Sequence, residues 1–101
     1  MRDKILLKDG TINLAGFLAP STAYALSARQ GAIRVERFEN QLPNQYQALA
    51  ATSIYRYLTI PKYLRDIACF GKRQAVAVRP VGSSIHLVAD FNEGYQDPFP
   101  A

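Results

Sequence analysis

The chain has 101 residues, 49% of them hydrophobic and 20% charged, enough for one folded soluble domain with a modest core and too few for two. That balance excludes an intrinsically disordered polymer, and a single cysteine, Cys69, with a single histidine, His86, excludes an internal disulfide and a zinc site of Cys and His ligands. The net charge of +4 is unevenly placed, since Arg56, Lys62, Arg65, Lys72, Arg73 and Arg79 fall within Tyr55 to Pro80 with Asp66 as the only acid among them, which points to a polyanionic partner.

Met1, Arg2, Asp3 and Lys4 precede only Ile5, Leu6 and Leu7, too short an apolar run for a signal peptide, and no stretch approaches the ~20 apolar residues that span a bilayer. A cytoplasmic protein without a membrane partner is expected. Asp9-Gly10 between apolar runs predicts a hairpin over 4–14, because a type I′ turn needs positive φ at both central residues. Pairing about it sets Leu7 against Ile12 and Ile5 against Leu14 on one face. Ser21 as N-cap and Gly31 as closing residue predict a short helix over 21–30. Ala32 to Glu39 alternates, with Ile33 and Val35 on one side and Arg34 and Glu36 on the other, and reads as a strand.

Tyr46, Leu49, Ala50, Ser53, Ile54 and Tyr57 recur at helical spacing, predicting a helix over 44–58 after Pro43. Pro61 breaks it, and a second helix over 61–70 follows, with Ile60, Leu64, Ile67 and Ala68 as its buried stripe and Gly71 as its stop signal. Residues 75–81 and 85–91 form a last hairpin turning at Gly82-Ser83, which opposes Val78 to Leu87, Pro80 to Ile85, Val76 to Ala89 and Arg79 to His86. One domain over 1–91 results, with 92–101, which carries Pro98 and Pro100, as a flexible tail. The fold class expected is α+β: about three helices with an N-terminal and a C-terminal hairpin. A mixed or antiparallel sheet packed by helices is the rival architecture.

Over about 70 residues this order of elements resembles that of the winged-helix DNA-binding proteins, in which two helices make a helix-turn-helix and the terminal hairpin is the wing. The likeness is of element order, with no sequence motif behind it. It implies that the helix over 61–70 reads a groove with Lys62, Tyr63, Arg65 and Asp66 outward, and that Lys72, Arg73 and Arg79 meet phosphates.

Tyr55, Tyr57, Tyr63 and Phe70 interleave with the cations, adding flat rings to the charge. The nucleic-acid-binding residues expected are therefore Arg56, Lys62, Tyr63, Arg65, Lys72, Arg73 and Arg79, in a small regulatory protein that pairs as a homodimer to bury enough surface. Tyrosine and arginine are equally the residues of protein interfaces, so a non-enzymatic inhibitor or adaptor that binds another protein is the alternative. A third reading is a small basic ribonuclease using His86 as acid or base and Arg79 for the phosphorane charge. No catalytic signature, cofactor fingerprint or phosphate-cradling glycine loop occurs, and the protein reads as no enzyme, with no cofactor and no metal. Cys69, at the carboxyl end of a helix, reads as a half-buried structural residue.

Overall fold

The computed structural model of the chain describes residues 4–39, 47–90 and 99. They form β1 (Lys4–Lys8), β2 (Thr11–Asn13), β3 (Ala23–Arg29), β4 (Ala32–Arg37), β5 (Gln47–Ala51), β6 (Tyr57–Thr59), α1 (Lys62–Ala68), β7 (Arg73–Val81) and β8 (Ser84–Ala89). All strand pairs are antiparallel, in the order β5-β3-β4-β8-β7-β1-β2-β6. The sheet coils into a nearly closed barrel whose two end strands, β5 and β6, approach one another. Inward-pointing Leu7, Ile12, Leu26, Ile33, Val76 and Leu87 fill it, as alternation along each strand requires.

The expected α+β fold with about three helices is thereby corrected to an antiparallel barrel with, among the described residues, one helix of seven residues. No helix-turn-helix exists among the described residues, so the winged-helix likeness fails. No described helix is long and apolar enough to cross a membrane.

Both hairpins form in the expected register. Asp9 and Gly10 have φ of 53° and 81°, the two positive values of a type I′ turn, and Lys8 pairs with Thr11. At the other hairpin Val78 opposes Leu87, Pro80 opposes Ile85, and Arg79 opposes His86, with Gly82 at φ 61° in the turn. A two-residue turn leaves one register, and the apolar alternation agrees with it.

The segment over 21–30 is instead β3. Tyr24, Leu26 and Ala28 point inward, and Ala25 and Ser27 are buried on the outward side, so a strand covered on both faces shows a run of small and apolar residues that imitates a helix. Ser21 caps nothing, and Gly31, at φ 83°, turns β3 into β4.

The helix expected over 44–58 is replaced by β5, a tight loop and β6; the part of that expectation covering 44–46 lies outside the described residues. Its apolar spacing is real, but Thr52 and Ser53 spend their hydroxyls on a non-helical backbone. Thr52 Oγ1 donates to the Ala19 carbonyl at 2.7 Å and accepts from the Thr22 amide at 3.0 Å. Ser53 Oγ accepts from the amides of Tyr55 and Tyr57, at 3.2 and 3.1 Å. Such side-chain bonds offer the backbone an alternative to helix, and Arg56 completes the loop at φ 66°.

α1 starts after Pro61, as expected, and closes one end of the barrel with Leu64 and Ala68 fully buried. It ends at Ala68, three residues before Gly71, because Cys69 itself takes the left-handed conformation (φ 62°, ψ 33°) and the Phe70 amide returns to the Arg65 carbonyl at 2.8 Å. The Ile67 side chain is only partly buried, and Cys69 is exposed, against the half-buried place expected for it. Of the expected tail only Phe99 is described, and it is buried.

Candidate anion-binding site

The turn between β1 and β2 is the meeting point of three distant pieces of chain. The Asp9 amide donates to the Lys72 carbonyl at 2.9 Å, and the Ile60 amide donates to the Gly10 carbonyl at 2.8 Å. β1 also pairs with β7, setting Lys8 directly opposite Arg73. Arg65, from the first turns of α1, lies against the same turn: a side-chain carbon on Gly10 would sit 3.3 Å from Arg65 Nε, which donates to the Ile60 carbonyl at 3.3 Å. Lys8, Arg65, Lys72 and Arg73 thus gather around one hairpin turn, with Asp9 the acid among them.

Of these four, Lys8, Lys72 and Arg73 are exposed and Arg65 is half-buried. Like charges directly opposite each other on a sheet face are destabilising. Lys8 and Arg73 are such a pair, whereas Lys62 is matched with Asp66 at 2.9 Å and Arg34 with Glu36 at 3.7 Å. The four strands β1, β2, β6 and β7 bring Lys4, Lys8, Arg73 and Arg79 and no acid. What the arrangement can do chemically is hold an anion at a corner of the barrel.

The seven residues expected to bind nucleic acid are therefore divided. Arg65, Lys72 and Arg73 come together at the turn. Lys62 and Tyr63 stand exposed on α1 at the same end of the barrel, Lys62 with its charge engaged by Asp66. Arg56 is held in the loop between β5 and β6, where its carbonyl accepts from the Leu14 amide at 3.0 Å. Arg79 lies six residues beyond Arg73, about 20 Å along β7 at ~3.3 Å per residue. The charge that is contiguous in sequence is wrapped around the barrel.

Lys8 and Gly10 are the members that sequence reasoning missed. Lys8 reads as a hairpin residue of no special note, and only the pairing of β1 with β7, remote in sequence, makes it a neighbour of Arg73. The described residues offer no group of three or more His, Cys, Asp or Glu that could hold a metal ion. Compared with protein-family models, with curated proteins and with solved structures, the chain matches none.

Proposed function

We propose that the protein is a non-enzymatic binder of single-stranded nucleic acid that grips the phosphate backbone with Lys8, Arg65, Lys72 and Arg73. The observation that supports this is the exposed Lys8–Arg73 apposition at a corner built by three separate segments. Two cations set directly opposite each other across a strand pair cost stability unless an anion is there to compensate. A single strand suits this surface better than a duplex, because the cations surround a hairpin turn and α1, the one described helix, spans only seven residues, about two turns. Tyr63, at the same end and 49% exposed, supplies a ring on which a base can stack.

The test is binding of fluorescent single-stranded DNA, single-stranded RNA and duplex DNA at low and physiological salt. Binding of the single strands that is lost in Lys8→Glu/Arg73→Glu supports the reading. Equal binding by that folded variant, or none by the wild type at low salt, overturns it.

A protein partner is the second reading, favoured by the loop between β5 and β6. Ile54 and Tyr55 are 68% and 72% exposed there, yet the loop beneath them is tied down by Ser53 and Thr52. Neighbouring apolar side chains presented on a backbone tied in place suit a protein interface, and tyrosine beside arginine is a common interface composition. A ribonuclease built on His86 finds less support: Arg79 is its cross-strand neighbour as expected, but the ring is 1% exposed and no substrate reaches it in this conformation.

A further inference from the structure

The cations of the hairpin turn continue as a row across the outward face of β7, β1, β2 and β6. Lys8 pairs with Arg73 on one side and with Thr11 on the other, and Thr11 pairs with Thr59, so the four stand side by side on four adjacent strands. Thr11 and Thr59 join their hydroxyls at 3.2 Å. That bond uses one of the two hydroxyl protons and leaves the other for an acceptor. Threonine hydroxyls, like lysine and arginine, are ordinary contacts of phosphate oxygens.

Side chains two positions along a strand share its face. Leu6, which pairs with Ala75, and Tyr57, which pairs with Asn13, therefore form a second row on the same outward face, about 7 Å from the first at ~3.3 Å per residue. Each is 47% exposed. Only β2 separates β1 from β6, which sets the backbones of Leu6 and Tyr57 about 10 Å apart. The backbone that carries the Tyr57 ring is fixed at both ends of the residue: its amide donates to Ser53 Oγ at 3.1 Å, and its carbonyl accepts from the Ser53 amide at 3.0 Å. A side chain mounted in this way gives up little freedom when a ligand covers it.

The two rows match the two parts of a nucleotide. Cations and hydroxyls, on four strands that bring no acid, suit the phosphate, and a flat ring beside a leucine suits the base. A separation of about 7 Å is one that a single nucleotide spans from phosphate to base.

We propose that this face is a base platform, on which a single-stranded nucleic acid sets its phosphates along the Arg73–Lys8–Thr11–Thr59 row and stacks a base on Tyr57 with the base edge against Leu6. The proposal rests on the single-strand reading above and adds to it the place where a base is held.

Two fluorescent probes of equal length and charge separate the platform from the phosphate corner: a thymidine oligonucleotide, and an oligonucleotide of abasic sites that keeps the phosphates without the bases. The wild type should bind the thymidine probe at least about fivefold more tightly, since one stacked base is worth about 5- to 150-fold. Tyr57→Thr, which keeps a residue suited to a strand, should lose that factor for the thymidine probe while its affinity for the abasic probe and its salt slope stay unchanged. Tyr57→Phe should bind as the wild type does. If Tyr57→Thr does not fold, Leu6→Thr should narrow the gap between the probes, and an unchanged gap overturns the proposal. Equal binding of the two probes by the wild type, or of the thymidine probe by folded Tyr57→Thr and wild type, overturns the platform alone, provided that Lys8→Glu/Arg73→Glu still abolishes binding. Failure of the wild type to bind either probe at low salt overturns the platform and the single-strand reading together. A wild-type dimer that Tyr57→Thr dissociates, with affinity for the thymidine probe unchanged, assigns the face to a second copy of the chain and also overturns the platform.

Discussion

Lys8 and Arg73 face each other across the β1–β7 pair, both exposed, with the Lys72 carbonyl bonded to the residue that follows Lys8. A like-charge contact on a sheet face costs roughly 0.2–1 kcal/mol. Lys8→Glu turns the contact into an ion pair. It should raise the unfolding free energy by a few tenths to about 1 kcal/mol in urea titrations while weakening binding of single-stranded oligonucleotides. Stability and affinity moving together in that variant would contradict a ligand-driven reason for the pair.

Gly10 is needed twice, for its positive φ of 81° and for the room that the Arg65 side chain takes against it. Gly10→Ala should lose about 1–2 kcal/mol from the left-handed backbone alone. It should also push Arg65 off the turn, because the new carbon meets Arg65 Nε at 3.3 Å. Arg65→Ala binding measured beside Gly10→Ala checks the second effect: the two affinities should fall alike, and unchanged affinity in Gly10→Ala would show that Arg65 is not positioned by the turn.

Leu64→Ala should cost about 2–5 kcal/mol, since the side chain is fully buried where α1 closes the barrel. Ile67→Ala should cost distinctly less, because Ile67 only packs against the edge of the core. Chemical denaturation of both variants compares them, and equal losses would place Ile67 deeper than the structure does.

How far such a fold can be read from its residues depends on how local each determinant is. Asp9-Gly10 and Gly82-Ser83 specify two-residue turns, and a two-residue turn fixes its register, so Arg79 opposite His86 was legible before any coordinates. Pro61 and the stripe of Leu64 and Ala68 made α1 legible in the same way. Tyr24 to Ala28 misled because a strand buried on both sides loses its polar alternation. Leu49, Ile54 and Tyr57 misled because their helical spacing is accidental: all three are exposed on β5, the loop and β6. The basic residues were visible, but their grouping was not. Lys8 meets Arg73 through a long-range strand pair, while the length of β7 carries Arg79 away from it and the loop between β5 and β6 holds Arg56 elsewhere.

Ser53→Ala removes one exposed oxygen that accepts two amides beneath the Ile54–Tyr55 tip, and should cost about 0.5–1.5 kcal/mol for the bonds lost to water. Tyr55→Ser, by contrast, changes a side chain that is mostly in water and should stay within about 0.5 kcal/mol of the wild type. Thermal or urea unfolding of the pair tests whether the loop is a rigid mount. A neutral Ser53→Ala would mean that the tip is held by something other than that hydroxyl.

The most direct test of the proposed function is the salt dependence of binding to a fluorescent single-stranded oligonucleotide. Four phosphate contacts, from Lys8, Arg65, Lys72 and Arg73, imply a slope of log K on log salt near −2.8, so a fourfold rise in salt should weaken binding roughly 50-fold. Removing Lys8 and Arg73 together should bring the slope to about −1.4, whereas removing Arg79 and Arg56, which lie away from the corner, should leave it in place. A slope near zero in the wild type, or a slope that responds to Arg79 and Arg56 but not to Lys8 and Arg73, would contradict the assignment of this corner as the binding site.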